Sequence, residues 1–230
     1  MNALLGPPVP LVLASASPAR KATLAHAGVT AYVLVSGVDE DATVAGARER
    51  FGELAAGDVA LVLARAKSEA VAGVLDGEQP PTEAPVGPLV LGCDSVLELD
   101  GEVHGKPADA GEAVVRWKRM RGRSGVLHSG HWLIDLRDGD EGGSGATVGA
   151  TASTTVHFAD LSDEEIDNYV ATGEPLHVAG AFTIDGLGGP YVTRIEGDHH
   201  NVVGLSLPVL RGLLGEVGVA WHALRGPAPS

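Results

Sequence analysis

A single cysteine, Cys93, is the only thiol in this 230-residue chain. No disulfide can form within it, and a reducing, cytoplasmic setting is the expectation. Lysine is almost as scarce, with only Lys21, Lys67, Lys106 and Lys118. Basic residues total 16 against 30 acidic ones, a formal net charge of −14. That balance excludes a protein that holds nucleic-acid polymers through a broad basic footprint, because many phosphate counterions must be displaced at once. A small anionic ligand stays compatible if the few cations converge on one pocket. No apolar run approaches the roughly 20 residues of a membrane span, so no membrane partner is expected. The apolar segment 9–16 has no Lys or Arg ahead of it, the first cation being Arg20, so no secretory leader is expected. Aromatic residues are only 4% of the chain, so a core must be built from Ala, Val and Leu. The hydrophobic and charged fractions, 44% and 20%, are those of an ordinary folded protein.

Glycine is plentiful, and the chain is punctuated accordingly. Residues 9–14 read as a short buried strand, followed by a helix with Ser17 as cap and Pro18 at its first position, where a missing N–H costs nothing. Gly28 stops that helix, and Tyr32–Val35 read as a second strand. This opening is typical of α/β folds. Asp39, Glu40 and Asp41 read as an acidic loop, and Asp58 as the cap of a helix whose apolar residues run from Val59 to Val74. Residues 76–88, rich in Pro, Gly and acids, read as a surface loop. Leu89–Leu91 read as a strand ending at Gly92-Cys93-Asp94-Ser95, and Asp100-Gly101 marks a hairpin. A helix is predicted over 110–120, a strand over 126–136, a loose loop over 138–150 and a strand over 151–158. Ser162 and Glu165 form a capping box for a helix ending at Gly173, and a late helix spans 206–217. Residues 226–230 read as a frayed tail.

Several residues could carry chemistry. The strand-to-helix turn around Ser15 offers backbone N–H groups and a helix N-terminus that favour an anion. Arg20, a cation in the first turn, opposes the helix dipole unless it faces such an anion. Asp94 after an apolar strand can bind Mg²⁺, act as a general base, or simply start a turn. Gly101–Pro107 is no phosphate-binding P-loop: it has three residues, not four, before Gly-Lys, and Pro107 follows. Lys106 remains a candidate phosphate contact. Cys93 reads as a packed residue. The pairs His128/His131 and His199/His200 lack the helical spacing of a zinc site.

Taken in order, the segments 13–21 (LASASPARK), 38–40 (VDE), 64–70 (ARAKSEA), 92–95 (GCDS), 105–107 (GKP), 179–186 (AGAFTIDG) and 201–208 (NVVGLSLP) resemble the Maf family of nucleoside triphosphate pyrophosphatases, most of all its actinobacterial members. The resemblance covers about residues 11–217. It implies a single domain over 1–225, an α/β fold with a long mixed, twisted sheet flanked by helices, and two lobes with a central cleft, similar to inosine-triphosphatase-like proteins. It implies a house-cleaning hydrolase that cleaves a nucleoside triphosphate at the α–β bond to monophosphate and pyrophosphate, with Mg²⁺ or Mn²⁺. Carried over by position, Asp94 matches the catalytic carboxylate, Glu40 with Asp94 the metal ligands, and Ser15, Arg20, Lys67 and Lys106 the phosphate- or substrate-binding positions. Ala19, Ser95 and Asp185 depart from members that act on dTTP and UTP, which carry Arg, Thr and Gln there; Gly125 replaces a usual His. These three are the candidate specificity positions, and they leave the base unassigned. A homodimer is a further implication. The competing readings are a nucleotide-binding regulator of septum formation with little catalysis, and a pyrophosphatase for deaminated purines.

Overall fold

The computed structural model describes residues 7–225; the expected frayed tail at 226–230 lies outside the described residues, as do residues 1–6. The spine is an 11-residue strand, β3 (Leu89–Leu99), far longer than the three-residue strand read from Leu89–Leu91. It continues through Gly92-Cys93-Asp94-Ser95 because its residues alternate between two buried faces. β1 (Leu11–Leu13) pairs parallel with β3 on one side and with β2 (Ala31–Val33) on the other. β5 (Ser124–Asp135), β6 (Thr147–Phe158) and β7 (Val192–Glu196) extend the opposite edge of β3 with antiparallel pairing. β4 (Glu102–His104) folds back on β3 through the turn at Asp100-Gly101, as the hairpin signal predicts. The sheet is therefore mixed, in the order β2-β1-β3-β5-β6-β7 with β4 alongside β3.

One consequence of this register positions the site. β1 pairs with β3 only at Leu89–Leu91, and β4 lies on β3 only at Leu97–Leu99. Between them the outer edge of β3, residues 92–96, has no strand partner. Asp94 sits in that gap, in the middle of a strand rather than at its end as the sequence suggests.

Helix α1 (Pro18–His26) begins with Ser17 as cap and Pro18 in its first turn, and Gly28 adopts φ +80° after it. α2 (Glu40–Phe51) occupies the region read as an acidic loop. Asp39 caps it, and Glu40 and Asp41 form its first turn, where negative charge suits the helix dipole. It buries no side chain and so carries no apolar stripe to reveal it. α3 (Ala56–Leu75) starts before Asp58; its cap is Ala55, which makes no side-chain hydrogen bond, and Asp58 lies in the first turn. α4 (Ala110–Met120) and α5 (Asp163–Ala171) match their predicted spans, the latter with the full Ser162–Glu165 capping box. The short α6 (His199–Val203) is not legible in the sequence, whereas α7 (Leu207–Glu216) falls within the late helix expected over 206–217, with Ser206 as its cap.

α3 covers one face of the sheet. The other face carries two apolar clusters. One joins β1, β3 and α7 around Leu91, Leu133 and Leu210; the second joins α4, α5 and the far half of β3 around Leu97, Trp117 and Ile166. Between them runs a polar seam in which Arg20, Ser95, Ser129 and Asn201 are linked by hydrogen bonds. No helix among the described residues is long and apolar enough to cross a membrane.

The segment read as a loose loop over 138–150 is shorter than expected, since β6 begins at Thr147. The remaining turn is anchored by Asp135, whose carboxylate is fully buried and accepts from Arg137 Nε (2.8 Å) and Nη2 (2.8 Å) and from Ser144 N (2.8 Å) and Oγ (2.7 Å). Burial alone would raise its pKa, but the Arg137 and Ser144 hydrogen bonds outweigh it and hold the carboxyl well below the ordinary range. A depressed acid pKa contributes stability above the unfolded value of about 4, and that contribution drains away as pH falls further. Asp135→Asn is therefore expected to cost about 3 kcal/mol at pH 7, since it strands a buried Arg137. The gap from wild type in urea melts should narrow between about pH 4 and pH 2; a gap that stays constant with pH would refute the assignment.

Candidate functional site

The gap in the β3 edge opens into a cleft of about 780 Å³. Its floor is the turn after β1, where the chain leaves the sheet at Ala14 and enters α1. Its walls are α2 and the segments around Lys106 and Thr183. Ser15, Ala19, Arg20, Glu40, Lys67, Asp94, Ser95, Lys106 and Asp185 all line it, so the fold gathers every candidate position into one place.

Lys67, Glu40 and Asp94 form its centre. The Lys67 Nζ donates to Asp94 Oδ1 at 2.5 Å and to Glu40 Oε1 at 2.6 Å. Lys67 projects from the edge of the α3 stripe that packs on β3, Asp94 points from β3 toward the same helix, and Glu40 comes down from the first turn of α2. The Asp94 and Lys67 side chains are each 11% exposed, whereas that of Glu40 is 46% exposed. Their carboxyls diverge accordingly. Burial dominates at Asp94 and raises its pKa, although Lys67 and Arg20 pull the other way. At Glu40 burial also raises the pKa, but the Lys67 hydrogen bond and the charges of Lys67, Lys106 and Arg20 together bring it below its ordinary value. Neighbouring carboxylates whose environments push them apart are a common arrangement at sites of proton transfer.

Arg20 lines the cleft and is also bound closely by the protein. It is buried, and its guanidinium makes four hydrogen bonds to protein: Nε to the Gly204 carbonyl (2.8 Å), Nη1 to the Cys93 carbonyl (2.7 Å) and Ser15 Oγ (3.0 Å), and Nη2 to Ser95 Oγ (3.1 Å). It therefore satisfies the carbonyl that β3 leaves open in its edge gap, and it ties α1 to α6. Of five guanidinium N–H donors, one is left for a ligand. Ser15 Oγ accepts from both Arg20 and the Ser17 amide (3.3 Å), so its own proton is free to be donated into the cleft. Ser95 Oγ is also engaged, contacting Ser129 Oγ at 2.7 Å, and Ser129 passes the chain on to the Asn201 carbonyl. Gly204, at φ +112°, allows this approach, because a Cβ there would stand 3.3 Å from Arg20 Nε. Cys93 is fully buried, and burial pushes its thiol up to about 12, consistent with a packed residue.

Asp185 stands exposed on the far wall. Its turn is built by Glu174, whose carboxylate accepts from Tyr169 OH (2.9 Å), Thr183 Oγ1 (2.5 Å) and the amides of Leu187 (2.9 Å) and Gly188 (3.0 Å). Arg48 also lines the cleft, on the α2 face shared by Asp41 and Val44, and makes no ion pair among the described residues. Sequence reasoning missed it along with its helix. The usable signal was charge order: Asp39, Glu40 and Asp41 at one end and Arg48 and Arg50 at the other match a helix dipole without any apolar periodicity.

Comparison with known proteins agrees with the motif pattern. The family model described as Maf-like protein matches residues 10–217. A protein of Salinispora tropica is 58% identical over 92% of this chain and 85% of its own length. One from Leifsonia xyli subsp. xyli is 53% identical over 93% and 95%, and one from Streptomyces coelicolor 51% identical over 95% of each. All three carry the name nucleoside triphosphate pyrophosphatase.

Proposed function

This chain belongs to the Maf family, and from that membership we propose that it is an enzyme hydrolysing nucleoside triphosphates at the α–β bond to a monophosphate and pyrophosphate. The observation that carries this reading is the Glu40–Lys67–Asp94 arrangement at the centre of a cleft with further cations around it.

The donor set fits a divalent cation. Two carboxylates converge on a single positive charge, the Lys67 ammonium, and hard oxygen donors of this type suit Mg²⁺ or Mn²⁺. Glu40 and Asp94 would hold the metal, which when bound neutralises phosphate charge and polarises the scissile phosphoryl group. Asp94, buried and raised in pKa, orients the attacking water and takes its proton. Lys67 would leave the carboxylates for the phosphates as substrate binds, before the proton transfer. Lys106 and Arg48 bind the departing pyrophosphate, and Ser15 donates its hydroxyl at the helix N-terminus. Arg20 acts mainly by holding Ser15, Ser95 and the β3 edge in place, with one N–H left for a phosphate oxygen. Asp185, an acceptor on the far wall, favours a base that presents N–H donors. Ala19 leaves room at the cleft floor, and Ser95 acts on specificity through Arg20.

The test is pyrophosphate release across canonical, methylated and deaminated nucleoside triphosphates, with Mg²⁺ or Mn²⁺ and with chelator. Saturable release from a subset, lost with chelator, is expected. Tight nucleotide binding with no release from any of them would overturn the enzyme in favour of a nucleotide-binding regulator.

A further inference from the structure

Arg116 is a buried cation that the chemistry above does not use. It lies on α4, its side chain only 4% exposed, and burying such a charge is costly unless every donor is well placed. Its Nη2 pairs with Glu112 one turn earlier on the same helix. Its Nη1 leaves the helix altogether and donates to the Gly105 carbonyl at 2.6 Å. Glu112 reaches in the same direction: its second carboxylate oxygen accepts from the Ala108 amide at 2.8 Å. Gly105 and Ala108 bracket Lys106 and the buried Pro107. Lys106 makes no hydrogen bond or ion pair among the described residues, so its direction is set by the backbone on either side of it.

The Gly105 carbonyl has a second donor, the Gly180 amide at 3.1 Å. Gly180 begins the stretch leading to Phe182 and Thr183, which also line the cleft. The next residue of α4, Trp117, donates its indole N–H to the Ala181 carbonyl at 2.8 Å, across a backbone held at φ +61°. Adjacent residues of one helix thus hold two neighbouring segments that line the cleft, and Arg116 holds the one that carries Lys106.

We propose that Arg116, with Glu112, is a positioning residue that aims Lys106 at the triphosphate. The proposal rests on the reading of Lys106 as a phosphate contact. A fork that spans Gly105 and Glu112 at once is what a guanidinium supplies and an ammonium does not. A mere i, i+4 ion pair on a helix surface would need no bond to Gly105 and no burial.

The test is a double-mutant cycle on the full chain with Arg116→Met, Lys106→Ala and the pair combined. It reads kcat and KM for pyrophosphate release, the calorimetric affinity for pyrophosphate itself, and the melting temperature. Arg116→Met is expected to raise KM and weaken pyrophosphate binding by about tenfold, with kcat within threefold. On the Lys106→Ala background it should change either by less than twofold, because the side chain it aims is gone. Arg116→Lys keeps a buried cation but only one donor nitrogen in place of the fork, so it should fall between wild type and Arg116→Met; it serves as the readout if the methionine variant does not fold. Multiplication of the two effects in full, or a KM for both Arg116 variants within twofold of wild type while Lys106→Ala raises it, would overturn the proposal alone. An unchanged KM in Lys106→Ala would remove the phosphate role of Lys106 and this proposal with it.

Discussion

Replacing Asp94 by Asn is expected to lower kcat for pyrophosphate release by about 10³-fold or more, while the melting temperature stays within a few degrees of wild type. The catalytic part follows from what Asn removes. It keeps the shape and the contact with Lys67 but cannot accept a proton from water, and it is a much weaker donor to a divalent cation. The stability part follows from the direction of the pKa shift. Asp94 is raised by burial, so at neutral pH its ionised form is less favourable in the folded protein than in the unfolded one. A neutral isostere relieves that cost. Lys67 is not stranded, because Glu40 still accepts from it at 2.6 Å and is half open to water. The β3 backbone at this position is paired with Gly130 of β5, and the substitution leaves that pairing intact. Steady-state kinetics with pyrophosphate detection, beside a thermal melt, separates the two parts. Turnover within tenfold of wild type would remove Asp94 from the chemistry; a large fall in melting temperature would mean that the loss of activity is a loss of fold.

Much of this site was legible in the sequence, and the parts that were not share a cause. Ser17-Pro18, the Ser162–Glu165 box and the 110–120 helix depend on neighbours a few residues apart, so local chemistry gives them directly. The surroundings of Asp94 depend on two strands that meet β3 from distant parts of the chain. Local reading ended the strand at Gly92 because a glycine followed by Cys-Asp-Ser looks like a turn. In the fold that glycine lies against a helix and the strand runs on. The position of Arg20 in the first turn opposes the helix dipole unless the guanidinium faces an anion, and local reading goes no further. In the fold, carbonyls at Cys93 and Gly204, 73 and 184 residues away, accept from the guanidinium as well, partners that no local pattern reveals. α2 escaped because it buries nothing, and amphipathic periodicity detects only helices that have a face to bury. The motif order singles out Glu40 while the segment around it reads as a loop, and the structure brings that side chain into the cleft beside Lys67.

Gly92→Ala is the substitution expected to damage fold and site together. An added Cβ would lie 2.0 Å from the Ala64 carbonyl oxygen and 2.9 Å from both the Ser68 Cβ and its amide nitrogen, with backbone on two of the three contacts. Nothing flexible is there to yield. Ala60, Ala64 and Ser68 are fully buried along one line of α3, and this line of small residues lets the helix sit directly on the sheet. Gly130 on the neighbouring strand completes the fit, since a Cβ there would stand 2.3 Å from the Ala60 carbonyl oxygen. The variant must push α3 outward, at a cost of about 3 kcal/mol, the upper part of the usual range for overpacking. Lys67 rides on that helix between Ala64 and Ser68, and its contact with Asp94 is only 2.5 Å long. A displacement of about 1 Å at a reacting group lowers rates by about 10²-fold, so kcat/KM should fall by that order even at temperatures where the variant is folded. Gly73→Ala, two turns further along α3 and with nothing within 4 Å of its would-be Cβ, is the matched control. It should raise stability by about 0.5–1 kcal/mol through helix propensity and leave kcat/KM unchanged. Opposite signs for the same chemical change in contact with one helix would show that close backbone approach, and not glycine content, sets the position of Lys67. A Gly92→Ala protein with wild-type stability and rate would show that α3 can shift without moving the site.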